Sequence, residues 1–99
     1  MKVSILQTAL EDLTTAQKFY DEQEEGVGAY FLDSLIPEID SLSLYAGIHR
    51  IQFGFHRLLA RRFPYAIYYR VVAGVVVVFR VLDCRRDPAS LRRSIRKSV

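Results

Sequence analysis

The sequence predicts an α+β fold with element order β-α-α-β-β-β-α, an antiparallel sheet covered on one face by a helical hairpin. Three observations predict it. Between Thr8 and Ser43, apolar residues recur at helical spacing, interrupted by Glu24-Glu25-Gly26-Val27-Gly28. Between Ile51 and Asp83, runs rich in Val, Ile, Tyr and Phe follow one another with short turns. After Pro88 the chain turns basic, with Leu91 and Ile95 at helical spacing.

Taken in order, Lys2 to Leu6 reads as a short strand that can join the sheet. Thr8-Ala9-Leu10-Glu11 fits a capping box, in which hydroxyl and carboxylate satisfy each other's orphan backbone donors. A helix follows, with Ala9, Leu10, Leu13, Ala16, Phe19 and Tyr20 on its apolar face and acids on the other. A second helix is expected from about Gly28 to Ser43, with Phe31, Leu32, Leu35, Ile36, Ile39 and Leu42 as its stripe. Pro37 removes one hydrogen bond there, so a kink or break is expected near Ile36. Tyr45 to Ile48 reads as a loop and Ile51 to Arg61 as a strand, with Gly54 marking a bulge or a close approach. Phe63 to Val72 is the next strand, Ala73-Gly74 a compact turn, and Val75 to Asp83 the last strand. A two-residue turn would place Arg70 across from Val77. Ala89 to Lys97 closes the chain as a short basic helix.

The last strand is apolar at both parities: Val75, Val77, Phe79 and Val81 against Val76, Val78 and Leu82. Near-continuous apolarity means two buried faces. The helical hairpin covers one, so a partner chain is expected on the other. The C-terminal helix or a second copy of the chain are the alternatives.

Ninety-nine residues make one domain, 1–99, of modest stability. A hydrophobic share of 51% is ample for a core and excludes a disordered chain. No stretch approaches the roughly 20 apolar residues of a membrane span, and no signal-peptide pattern opens the chain, so a cytoplasmic protein is expected. The single cysteine, Cys84, closes no internal disulfide and suits a reducing compartment. Without a neighbouring base it reads as a small residue at a strand end.

The charge is strongly asymmetric. Residues 1–48 hold nine acids and two lysines, a net of −7, whereas residues 49–99 hold eleven arginines, one lysine and two acids, a net of +10. Arginine makes bidentate contacts with carboxylates and phosphates, so the C-terminal half suits an anionic partner. The two halves can also face each other, which would make part of that attraction internal.

No Cys/His/Asp/Glu cluster has metal-ligand spacing and no glycine-rich phosphate loop is present, so neither a metal nor a cofactor is expected. His49 and His56 are the only histidines, and a lone histidine on a strand is more often packed or solvated than catalytic. Arg57, Arg61, Arg62, Arg70, Arg80, Arg85 and Arg86 fall on the sheet or at its ends. Arg85 and Arg86 should leave the same end as Arg61 and Arg62, close to Tyr65. Such a cluster can hold phosphates or an acidic peptide, or stabilise a phosphorane-like transition state. A guanidinium stays protonated and supplies no general base. The alternative role is a charged sheet edge that resists aggregation.

The segments Ala9 to Leu13, Phe31-Leu32-Asp33, Arg61 to Val71 and Val81 to Pro88 resemble the RelE/ParE superfamily of toxins from bacterial type II toxin–antitoxin systems, the ParE-like (plasmid stabilisation) members in particular. Arg-Arg-Phe-Pro-Tyr at residues 61–65 followed by Arg-Arg-Asp-Pro at 85–88 is specific in combination. The resemblance implies the element order above and a cognate antitoxin whose C-terminal segment wraps the toxin against its sheet and helices. It also implies one of two targets. RelE-like members cleave messenger RNA on the ribosome, with phosphate-stabilising cations and typically a tyrosine or histidine near the C-terminus. ParE-like members poison DNA gyrase without catalysis. Here Arg85 and Arg86 stand at the family's C-terminal basic positions, but Ala89, Ser90, Leu91, Arg92 and Arg93 follow with no Tyr or His. Asp83 stands where many relatives carry a histidine, and beside Arg85 it should be a poor base.

The expectation is therefore a gyrase-binding toxin using Arg61, Arg62, Arg70, Arg85, Arg86, Arg92 and Arg93 toward its target or antitoxin. The nuclease alternative would place Arg57, Arg62 and Arg86 around a phosphate, with His56 or Tyr65 carrying the proton. A third alternative is an inactive member that retains antitoxin binding alone. A homodimer of the free toxin is a further option.

Overall fold

A computed structural model describes residues 1–98. The elements are β1 (Lys2–Ile5), α1 (Gln7–Gln23), α2 (Val27–Asp40), α3 (Leu42–Tyr45), β2 (Ile51–Gln52), β3 (Phe55–Leu59), β4 (Tyr65–Val72), β5 (Val75–Asp83) and α4 (Pro88–Arg96). The five strands lie in the order β1-β5-β4-β3-β2. Strands β2 to β5 pair antiparallel, while β1 joins β5 in parallel, with Lys2 opposite Val75 and Ile5 opposite Val78. The sheet is therefore mixed rather than purely antiparallel, because the α1–α2 hairpin returns the chain to the far end of the sheet before β2 begins.

The helical hairpin buries one sheet face. Ala9, Leu13, Ala16, Phe31, Leu35 and Ile39 meet Tyr65, Ile67, Tyr69, Val76, Val78 and Val81 in the main core. The two helices touch at Gly28, where an added Cβ would lie 2.5 Å from the Gln17 carbonyl oxygen. Asp21 of α1 accepts the amides of Gly26 and Gly28, satisfying donors at the start of α2.

Several sequence expectations change here. Helix α1 begins at Gln7, so Thr8 is not its cap; the Thr8 hydroxyl instead donates to the Phe79 carbonyl at 2.9 Å. Helix α2 runs on past Pro37 to Asp40, and the interruption falls at Ser41 rather than near Ile36. Proline withholds only its own N–H, and its carbonyl still receives the Ser41 amide at 3.0 Å. Leu42–Tyr45 then forms the short α3, which takes Tyr45 out of the expected loop. The strand expected over 51–61 is a hairpin: Ile51 pairs His56 and Gln52 pairs Phe55. Phe53 and Gly54 take φ of 59° and 82°, the two positive values of a tight hairpin turn, so Gly54 reverses the chain instead of bulging it. Ala73 and Gly74 turn β4 into β5 in the same way, with φ of 50° and 76°, and Arg70 does face Val77.

The parity of β5 is reset by a β-bulge. Tyr68 pairs Arg80 but Tyr69 pairs Val78, which leaves Phe79 as the extra residue. Val76, Val78 and Val81 therefore share the helix side, and Arg80 is spared a place in that core.

The second sheet face is also covered, by this chain's own C-terminus. Leu91 and Ile95 of α4 close over Phe55, Ala66, Tyr68 and Leu82. No partner chain is needed over the centre of that face, which corrects the first expectation in favour of one of its alternatives. Asp87 caps α4 by accepting the Ser90 amide at 2.9 Å, and Pro88 occupies its first turn.

Candidate functional site

The end of the sheet where β3 leads into β4 and β5 leads into α4 gathers the predicted basic residues. The Cys84 amide donates to the Pro64 carbonyl at 2.7 Å and the Ala60 amide to Tyr65 at 2.9 Å, which locks the two connections side by side. Arg61, Arg62 and Arg85 are exposed there and Arg86 is half-buried. The Arg61 amide is held by the Glu38 carboxylate of α2 at 3.2 Å, so the acidic helical half meets the basic half at this corner.

Not every cation is available to a partner. Arg85 grips Asp83 through Nε at 3.0 Å and Nη2 at 2.7 Å. That hydrogen bonding holds the Asp83 carboxyl below the usual range and pushes the Arg85 guanidinium up, so Asp83 is a poor base. Arg86 reaches across α4, donating to Ser90 Oγ and carbonyl and to Ser94 Oγ. It fastens α4 to the sheet end. Arg70 lies towards the opposite end of β4, its guanidinium 3.9 Å above the Phe55 ring and its Nε on the Gly54 carbonyl. It clamps the β2–β3 turn and is no part of the cluster. Arg92 sits 5.5 Å over Phe53, and Arg92 and Arg93 are exposed on α4.

The residues named for a nuclease converge only in part: Tyr65 and Arg86 line a common pocket of about 300 Å³ with Asp83, whereas His56 and Arg57 fall on opposite faces of the sheet. His56 lies on the helix side of the sheet, stacked on Tyr69 at 5.1 Å, with Nδ1 on the His49 carbonyl at 2.7 Å. Tyr65 also points to the helix side, against Tyr20 and Phe31. Burial first, then Tyr20 and Asp83, push its pKa up to about 12, so it holds its proton at neutral pH. Arg57 pairs Tyr68 on the α4 side, opposite both. Its Nε and the Tyr68 hydroxyl are buried without a hydrogen-bond partner among the described residues. Neighbours on a strand point to opposite faces, so the separation of His56 from Arg57 was already contained in the period of two. Cys84 is half-buried beside Arg57, and burial pushes its thiol up, as suits a structural residue.

One ion pair was missed as a pair. Asp12 of α1 receives Arg80 Nε and Nη2, both at 2.7 Å, and the Val81 amide at 3.0 Å. Beyond Val78 the β5 edge has no β1 beside it, and Asp12 and Thr8 supply the missing partners. Arg80 Nη1 meets the Ser94 carbonyl of α4, so this arginine ties both helical layers around the sheet edge. The residues stand 68 apart in sequence, and no local signal announces the contact.

A groove of about 680 Å³ runs between α2–α3 and the outer edge of β3, lined among others by Glu38, Tyr45, Ile48, Leu59, Arg61 and Arg62. Ile48 is 75% and Leu59 52% exposed, and Leu44 and Ile51 extend the apolar surface beside it. The groove opens onto the basic end. Apolar surface next to unpaired guanidinium groups suits contact with another chain, and His49, Asp33 and Glu38 line the same groove.

Fold and site thus define a small α+β protein with an apolar groove beside a basic sheet end. The family model for the ParE toxin of the type II toxin–antitoxin system, parDE, matches residues 3–88, and the chain belongs to this family. Among solved structures, a chain described as "Chromosomal ParDE TA system from P. aeruginosa" is similar in fold. It is 19% identical, with a TM-score of 0.76 over 82% of this chain and 92% of that one. No curated protein sequence matches the chain. Among the described residues, no helix is long and apolar enough to cross a membrane.

Proposed function

We propose that this ParE-family protein arrests growth by binding DNA gyrase and is neutralised by a cognate antitoxin. The observation that carries the reading is the split of the catalytic candidates. His56 and Tyr65 are on one side of the sheet and Arg57 on the other, which parts Arg57 from both proton carriers named for it, and the Tyr65 hydroxyl beside Arg86 holds its proton at neutral pH. Arg61 and Arg62 face solvent at one end and suit an anionic protein surface. The antitoxin segment is an acidic, amphipathic stretch. Its apolar residues fill the groove at Tyr45, Ile48 and Leu59, and its acids meet Arg61 and Arg62.

A second reading has one specific observation in its favour. Arg57 Nε and the Tyr68 hydroxyl are buried polar groups close to each other and to Arg86, beneath α4, and neither makes a well-formed hydrogen bond among the described residues. An anionic oxygen would satisfy them, as in RelE-like messenger RNA cleavage. Pulse labelling of DNA and protein synthesis, in the minutes after induction without antitoxin, separates the two. DNA synthesis is expected to fail first, with a DNA-damage response. Early arrest of protein synthesis would move the assignment to the nuclease. No arrest by a soluble, expressed protein would leave an antitoxin-binding member without toxicity in that host.

A further inference from the structure

The connection between α3 and β2 is fastened to the sheet by three rings that the proposed function does not use. The hydroxyl of Tyr69, a fully buried residue of β4, meets His49 Nδ1. The same oxygen accepts the Gly47 amide at 2.9 Å. His56 Nδ1 lies 2.7 Å from the His49 carbonyl, which fixes it as a donor, and the His56 ring stacks on Tyr69. With the Gly47 amide on its oxygen, Tyr69 has one proton to give, and the acceptor is His49 Nδ1. The network therefore assigns a neutral His49 protonated at Nε2.

We propose that His49, Tyr69 and His56 form a pH-sensitive latch that holds residues 46–50 against the sheet and opens when a solvent proton binds His49 Nδ1. Protonation there turns the acceptor into a second donor facing the Tyr69 hydroxyl, which is buried and has no other acceptor among the described residues. His49 is half-buried, so solvent protons reach it. The charged groups around it are Asp33 and Glu38 from α2, Arg61 and Arg62 from the β3–β4 connection, and Arg50 next in the chain. Glu38 is engaged with the Arg61 amide, and no carboxylate ion-pairs with either imidazole among the described residues. The Asp33 and Glu38 carboxylates are outnumbered by Arg50, Arg61 and Arg62, so no net negative charge around His49 favours its protonation.

Burial, then the neighbouring His56, hold the His49 pKa below 6.5. A lowered histidine pKa means that the latch is closed above 6.5 and loses stability as the pH falls below that value. Opening would free Ile48 and one wall of the groove beside Leu59 and Arg61. The latch is a property of this chain whatever its target.

The test is histidine-ring NMR on the full chain, with amide exchange at Gly47 and Ile48, from about pH 7.5 to about pH 5.5. His49 is expected as the Nε2–H tautomer, titrating below 6.5. Protection factors at Gly47 should fall about tenfold along the same titration. In His49→Gln, whose carboxamide oxygen accepts without titrating, protection should stay level. Tyr69→Phe should be open at both ends of the range. Any of three results would overturn the latch: an Nδ1–H tautomer near neutral pH, unchanged protection in the native chain, or an equal fall in His49→Gln.

Discussion

Asp12 shows how much one side chain can hold. It accepts two bonds from Arg80 and one from the Val81 amide, with the pair's side chains only 12% and 14% exposed. Removing one partner of a largely buried pair strands the other, but Arg80 keeps the Ser94 carbonyl, so Asp12→Ala should cost about 2–3 kcal/mol, read by urea denaturation. Asp12→Asn keeps an acceptor for Val81 and should cost less. The sequence placed Asp12 only among the acids of an outer helix face, and read Arg80 as one more sheet arginine. The bulge at Phe79 turns Arg80 towards Asp12, and a bulge leaves no mark in a run of valines. Asp83 was the opposite case. Its partner stands two residues away, so its low pKa could be read from the chain.

Among the elements, the α1–α2 hairpin is the most tightly specified. Its close approach at Gly28 leaves no room for a methyl group, since the Gln17 carbonyl oxygen is backbone and cannot swing aside. Gly28→Ala should therefore destabilise by about 1–3 kcal/mol and lower Tm in a thermal melt. The helices themselves were legible from their apolar stripes. Their ends were not, because Thr8 found a tertiary acceptor in Phe79 and Pro37 was absorbed inside α2. The β4–β5 hairpin was legible in register from its turn as far as Tyr69 opposite Val78, since a two-residue turn fixes which residues face each other until the bulge shifts the rest. The β2–β3 hairpin was hidden because its positive-φ residue pair is Phe53-Gly54, and phenylalanine is rare in that conformation.

At the scale of the whole molecule, the charge split is satisfied in part inside the chain. Asp12 with Arg80 and Glu38 with the Arg61 amide join the acidic and basic halves internally. Arg61, Arg62 and Arg93 are exposed and their side chains make no hydrogen bond or ion pair among the described residues. A binding surface spreads its energy over several contacts, so alanine at Arg61, Arg62 or Arg93 should weaken growth arrest in graded steps, each about fivefold to tenfold, with toxicity titrated by induction level. Abolition by Arg57→Ala alone, with antitoxin capture intact, would point to the nuclease instead. Arg86 is unsuited to this test, since its loss would loosen α4 as well.

The sequence alone determined the α+β class, the two long helices and most of the stripe that each buries, with Leu10, Phe19 and Ile36 left exposed, the β4–β5 turn, the charge division and the family resemblance. Each depends on residues near one another in the chain or on composition. The tertiary structure decided what depends on distant partners: the parallel docking of β1, the bulge that frees Arg80, the closure of α4 over the second face, and the tying of His49 to Tyr69. Those contacts join residues far apart in sequence, and packing selects them only once the sheet and its two helical layers meet.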